Sequence, residues 1–182
     1  FFPTKPLGCF GDGGACLTNS KSLADQIKLI RNHCQIKKNI HKGVGLNARL
    51  DTIQAAVLLS KMKIFEKEIF LRNRVVQSIK KGISIKNSKI RFQQIKKNFT
   101  SAHAQLPITI KNRNKFIKIL KKNKINFSIF YPKPIYKQKG YNEKKYFLSN
   151  VEEVCKKIVC LQVNPYMTKT EINILIKKII QY

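Results

Sequence analysis

Between Asp51 and Gly82 the sequence carries an apolar stripe that only a long helix can use. Ile53, Ala56, Val57, Leu58, Leu59, Met62, Ile64, Phe65 and Ile69 recur at helical spacing. Asp51 stands where a cap belongs, the pattern continues to Lys81, and Gly82 is placed to end it. This element divides the chain. Residues 1–82 form one part, with the long helix as the link, and 83–182 form a smaller part in which β and α segments alternate. The expected fold class is α/β.

The flanking segments follow the same logic. Gly14 to Thr18 is a short apolar run that reads as a buried strand. Asn19 or Ser20 caps a helix through Leu23, Ile27 and Ile30, fading near Asn32 and His33. Residues 34–46 read as a polar loop, and 83–100 as a connection or edge strand. Ala104 to Ile110 alternates like a strand, with Pro107 pointing to an edge or a bulge. Asn112 to Asn123 is an amphipathic helix. Phe127 to Tyr131 is β-prone until Pro132 and Pro134 stop it, and 135–148 is an aromatic loop. Val151 to Val159 reads as helix, and Thr168 or Thr170 caps a last helix to Ile180.

A chain of 182 residues can bury a substantial core, and no apolar run reaches the roughly 18 residues of a membrane span. The five cysteines form no C-x-x-C pair and read as free thiols, and the three histidines show no metal spacing. The net charge of +28 invites a nucleic-acid reading. Yet lysine is scattered through almost every segment, alongside many isoleucines and asparagines. All three have A/T-rich codons, so a coding bias accounts for them together. A basic nucleic-acid binder and a non-catalytic scaffold stay as the competing readings.

Chemistry concentrates in Phe1-Phe-Pro-Thr-Lys5-Pro-Leu-Gly8-Cys-Phe-Gly11-Asp12-Gly13-Gly14. Lys5 lies between two prolines that limit backbone freedom, ahead of glycines that let backbone approach a ligand. A lysine amine can join a carbonyl covalently when partly deprotonated. In a lysine-rich chain these residues alone leave a surface lysine open as the alternative.

The wording of the stretch resembles the cofactor-lysine segment of the DegT/DnrJ/EryC1/StrS sugar aminotransferases, fold type I pyridoxal phosphate enzymes. Further segments are similar to that family, in its order. They are Arg31-Asn-His33, with Cys34 where glycine is usual, and Gly45-Leu-Asn47-Ala-Arg49-Leu-Asp51-Thr-Ile-Gln54-Ala-Ala56. Ser101-Ala-His103-Ala-Gln105 follows, at a place where an aromatic often replaces His103. Tyr131-Pro-Lys-Pro134 has Phe130 where histidine is frequent, and Asn164-Pro-Tyr166-Met-Thr168 completes the set.

The resemblance implies the C-terminal part of such an enzyme: the end of the large domain, the long helix and a small α/β subdomain. Lys5 would carry pyridoxal phosphate and act as catalytic base and acid. Asn47 would reach the cofactor phosphate of the neighbouring subunit in a homodimer. Arg49 would contact a substrate carboxylate, with a structural ion pair to Asp51 or a neighbour as its alternative, and Tyr131 would touch substrate or pack. Asp51 reads as a helix cap rather than a catalytic acid. The implied reaction is a cytoplasmic transamination from glutamate to a nucleotide-linked keto sugar, specifically UDP-2-acetamido-2-deoxy-3-oxoglucuronate, with no metal, nucleic acid or membrane. The phosphate-binding serine, the ring-stacking aromatic and the acidic partner of the pyridine nitrogen fall upstream of Phe1 in this family. These 182 residues alone are therefore expected to be inactive and poorly soluble.

Overall fold

The computed structural model describes residues 1–87, 89–141 and 146–182; part of the expected 135–148 loop lies outside them. The chain divides into two compact units, Phe1–Phe65 and Glu66–Tyr182. The division falls inside the long helix, α2, which spans Thr52–Ser84.

In the first unit, a turn-rich opening leads into helix α1, Lys21–Arg31. Ser20 caps it, its hydroxyl accepting the Leu23 N–H at 3.3 Å, and Asn32 closes it. Two expectations fail here. Residues 14–18 are not a strand: no strand flanks them among the described residues, and Leu17 is 94% exposed. The 34–46 loop contains a small antiparallel hairpin, β1 (Gln35–Lys37) and β2 (Ile40–His41). Asn39, in the turn, adopts φ 63°. Both strands are too short and polar to show a period of two. At the start of α2, the carbonyl of Asp51 accepts the Ala55 N–H at 3.0 Å.

The second unit holds a four-stranded antiparallel sheet in the order β3–β4–β6–β5. The strands are β3 (Ile90–Phe92), β4 (Leu106–Ile110), β5 (Phe127–Ser128) and β6 (Ile158–Leu161). Helices α3 (Arg113–Lys122), α4 (Ser149–Lys157) and α5 (Lys169–Ile179) accompany it. Leu106, Ile108 and Ile110 alternate inward from β4 onto Val76, Ile79 and Ile83 of α2, Phe116 and Leu120 of α3, and Ile179 of α5. That cluster is the unit's core. Asn112 caps α3, its side chain accepting the Lys115 N–H at 3.1 Å.

Three details depart from expectation. Pro107 lies in an interior strand, not at an edge. However, β3 pairs with β4 only from Ile110 to Ile108, so at Pro107 the strand is flanked by β6 alone. A residue without an N–H is tolerated where one side of the ladder is open. The helix expected over 151–159 ends at Lys157, and Ile158 and Val159 open β6 with no intervening turn. An apolar β-branched run after a helix cannot be assigned by periodicity alone. Gly82 does not end α2. A Cβ there would come within 2.5 Å of Ile176 Cδ1, so its smallness admits α5 instead.

Thr168 and Glu171 form a reciprocal capping box on α5. The Glu171 N–H donates to the Thr168 hydroxyl at 3.2 Å, and the Thr168 N–H donates to the Glu171 carboxylate at 2.7 Å. Thr168→Ala is expected to lower stability by about 1 kcal/mol, within the 0.5–2 range of cap deletions, read by urea denaturation. The hydrogen bonds from the Thr168 backbone and then its side chain hold the Glu171 carboxyl below its ordinary value. Its contribution is therefore present above the ordinary glutamate pKa and is lost as pH falls through the lowered folded value. All five cysteines are free, and only Cys16 is exposed. Among the described residues, no helix is long and apolar enough to cross a membrane.

Candidate active site

The opening stretch is a set of turns held by its own backbone. The Lys5 N–H donates to Phe2 O at 2.9 Å, the Cys9 N–H to Phe1 O at 2.8 Å, and the Phe1 amine to Gly13 O at 2.7 Å. The Cys9 thiol is buried and lies 3.2 Å from both Phe1 O and Gly11 O. Gly8 sits inside this turn: a Cβ there would come within 2.7 Å of Phe2 O and 2.9 Å of Pro3 O. No larger residue fits without opening the loop. The Lys5 side chain is exposed. It thus stands on a backbone whose shape does not depend on it.

The start of α2 fixes this loop in place. Gln54 accepts the Phe10 N–H at 2.8 Å, and the Lys61 amine donates to Gly8 O at 2.8 Å. At Gly13 a Cβ would lie 2.9 Å from Leu50 Cδ1, so a larger residue there would push the Leu50 side chain aside. Leu50 and Gln54 belong to the same sequence segment as Asn47 and Arg49, so one stretch of chain supports the Lys5 loop and carries both other residues. The anchoring roles of Gln54 and Lys61 were missed by the sequence reading. Gln54 lay within a quoted segment, but nothing local announces which carbonyl or N–H a side chain will meet.

Residues 45–49 are laid against the end of α1. The His33 N–H donates to Leu46 O, the Leu46 N–H to Ile30 O and the Ala48 N–H to Arg31 O. Asn32 and Asn47 face each other in an isolated bridge. At Gly45 a Cβ would lie 2.5 Å from the His33 carbonyl carbon, so the two chains could not approach as they do. Cys34 takes φ 50°, in the left-handed region that favours glycine. That conformation explains why glycine suits this place, and the Cys34 thiol–Val44 O contact at 3.3 Å offsets part of the strain.

Asn47 is exposed, as is Arg49. The Arg49 guanidinium donates from Nη1 to Asn32 Oδ1 at 2.9 Å. Its partner is thus the α1 cap residue rather than Asp51, and among the described residues its remaining donors have no partner, which leaves them to meet a planar anion. Tyr131 belongs to the second unit, where it is 67% exposed and its ring lies 5.3 Å from that of Phe130. Lys5, Asn47 and Arg49 share the first unit.

These residues fit pyridoxal phosphate. An exposed amine rises from a loop in which Gly8 has no room for a Cβ, and the amide of Asn47 is exposed on a backbone pinned to Asn32. Lys5 would hold the aldehyde carbon of one cofactor, and Asn47 would donate to the phosphate oxygens of a neighbouring subunit's.

Similarity to known proteins extends along nearly the whole chain. The model of the DegT/DnrJ/EryC1/StrS aminotransferase family matches residues 1–180. A UDP-2-acetamido-2-deoxy-3-oxo-D-glucuronate aminotransferase of Pseudomonas aeruginosa is 38% identical over 175 residues, covering 96% of this chain and 48% of that protein. A dTDP-3-amino-3,6-dideoxy-alpha-D-galactopyranose transaminase of Aneurinibacillus thermoaerophilus is 31% identical over 171 residues, covering 93% and 47%. The crystal structure of a DegT DnrJ EryC1 StrS aminotransferase from Brucella abortus superposes with a TM-score of 0.89 at 33% identity, covering 98% of this chain and 48% of that one. The chain spans about half the length of the curated relatives it matches. It has the fold of the corresponding half of those enzymes, and it belongs to the DegT/DnrJ/EryC1/StrS aminotransferase family.

Proposed function

We propose that the protein is a pyridoxal phosphate-dependent aminotransferase of a nucleotide-linked keto sugar, with Lys5 as its cofactor lysine. The observation that carries this reading is the exposed Lys5 amine on a self-supporting turn, in a chain of this family. When bound, the cofactor supplies an electron sink at the carbon bearing the transferred nitrogen. Lys5 Nζ, once the amino donor takes its place at the aldehyde carbon and frees it, would accept the proton from the carbon bearing the transferred nitrogen as base and give it back as acid. The Asn47 amide serves the phosphate of a neighbouring subunit, which makes the active form a homodimer with shared sites. Glutamate is the amino donor, and the reaction takes place in the cytoplasm.

Arg49 selects the sugar. Its bond to Asn32 orients the guanidinium, whose other donors form a fork matched to a carboxylate. The likeness to an aminotransferase of a 3-oxo-glucuronate supports UDP-2-acetamido-2-deoxy-3-oxoglucuronate as acceptor. Tyr131, exposed in the second unit, contributes a contact to the substrate.

The test is an assay of the full-length protein with glutamate and this keto sugar, following 2-oxoglutarate. Turnover is expected with the carboxylated sugar, and Arg49→Ala is expected to weaken kcat/KM for it by about 10- to 100-fold, the loss of a charge-assisted pair of 1.5–3 kcal/mol. The neutral analogue should be little affected by the same change. Equal losses for both sugars would remove Arg49 from the carboxylate role, and absence of turnover with any keto sugar would remove the functional reading.

A further inference from the structure

The second unit contains a cavity of about 660 Å³ beside the start of β4, away from any residue assigned a role above. Lys80 of α2, Lys96, Lys97 and Phe99 of the β3–β4 connection, Phe92 of β3 and His103 line it. His103 is only 6% exposed as a residue, the one polar or charged residue so deeply buried among the described residues. Its backbone is fully engaged: the N–H donates to the Ser101 hydroxyl at 3.1 Å, and the carbonyl accepts from Arg72 Nη1 at 3.4 Å. Its imidazole has no hydrogen-bond partner among the described residues. The ring nitrogens are not among the buried side-chain atoms left without a partner, so they can be reached from solvent and can meet what the cavity holds.

The charged residues that line the cavity have one sign, and Glu68, whose carboxylate acts on Arg72, is not among them. Lys80, Lys96 and Lys97 line the cavity, Arg72 contacts the His103 carbonyl, and no carboxylate is among the lining residues. Lys80 is held in place, its amine donating to Gln93 O at 3.2 Å and lying 5.9 Å from the centre of the Phe92 ring. We propose that this cavity binds a phosphate group, met by the buried imidazole of His103 and by the ammonium groups of Lys80, Lys96 and Lys97. The two aromatic rings leave an apolar wall for whatever the phosphate carries. The assignment is independent of Lys5 and of the transamination, and it stands if either fails.

The electrostatics give the site a pH signature. Burial and then the Lys80 ammonium hold the His103 imidazole below its ordinary range, so without an anion the ring is neutral near pH 7. A phosphate dianion beside it favours the protonated form. Binding therefore raises the His103 pKa, and affinity increases as pH falls through that value.

The experiment is NMR titration of the full chain with inorganic phosphate at constant ionic strength, following the ring resonances of His103. Saturable shifts at His103 and a raised His103 pKa in phosphate are expected. His103→Phe, which keeps an aromatic in the core, and Lys80→Gln should each weaken binding about tenfold or more. Lys118→Gln, an exposed change on α3, should not. A parallel titration with a nucleoside monophosphate separates the sources. Tighter binding that Phe99→Ala cancels points to a nucleotide, and equal binding points to free phosphate; either supports the site. Unsaturable shifts spread over many lysines, or His103→Phe binding as well as wild type, would overturn it. Should His103→Phe not fold, the wild-type titration and Lys80→Gln still decide.

Discussion

Lys5→Ala is expected to abolish transamination in the full-length protein, by about 10²- to 10⁴-fold from lost proton transfer alone and further if cofactor retention falls. The change should act on chemistry and not on structure. The loop is shaped by bonds among the backbones of Phe1, Phe2, Lys5, Cys9 and Gly13, and the Lys5 side chain is exposed. Thermal stability should therefore stay near wild type. Lys5→Arg separates the two possible uses of the residue. Arginine keeps the charge but stays protonated at any working pH, so it neither holds a carbonyl carbon nor accepts a proton. If Lys5 served only as a cation for substrate phosphate, arginine would restore much of the rate; it is expected to restore none. Borohydride reduction of the cofactor-loaded protein, followed by peptide mapping, should place the label on Lys5. A label on another lysine, or wild-type turnover by Lys5→Ala, would end the assignment.

The legible and illegible parts of this chain divide by physical cause. Helices with a cap and a period were readable: Ser20 and Thr168, each one of two candidates, cap α1 and α5. A Ser, Thr or Asn before an apolar period carries its own mechanism. The hairpin strands β1 and β2 were not readable, because two or three polar-flanked residues are shorter than the pattern that would reveal them. Gly82 was misread as a stop because the reason for a glycine there is a side chain almost a hundred residues away, Ile176. The Lys5 loop shows the same limit at the site. The sequence singled out Lys5, Asn47 and Arg49, but the contacts around them, Gln54 to Phe10, Lys61 to Gly8 and Asn32 to Arg49, are tertiary. Cys34 is the instructive case. Its departure from the usual glycine was visible as a substitution, and its meaning, a left-handed backbone, needed the fold.

Phe116→Ala should be the most destabilising single change in the second unit, at about 3–5 kcal/mol. The ring is 0% exposed and meets the strands and α5 side of the core from the middle of α3. It also takes an edge-on contact with Tyr182, centroids 5.4 Å apart at 87°. That pair ties the chain's last residue to α3, and the Tyr182 hydroxyl accepts the Asn112 N–H at the helix cap. Alanine would remove the apolar contact, leave a void the size of a ring and release the anchor at once. The neighbours Ile79, Ile110 and Leu120 are themselves fully packed, on rigid elements, and have little freedom to collapse inward. Tyr182→Ala provides the comparison, because it deletes the edge contact while leaving Phe116 in the core. It should cost far less, about 0.5–1.5 kcal/mol for the aromatic pair beyond its buried area. The chain has no tryptophan, so far-ultraviolet circular dichroism in urea is the natural readout, with unchanged slope expected for both variants. A loss under about 1 kcal/mol for Phe116→Ala would mean that α3 does not pack as described, since a fully buried aromatic cannot be deleted from a dense core at so small a cost.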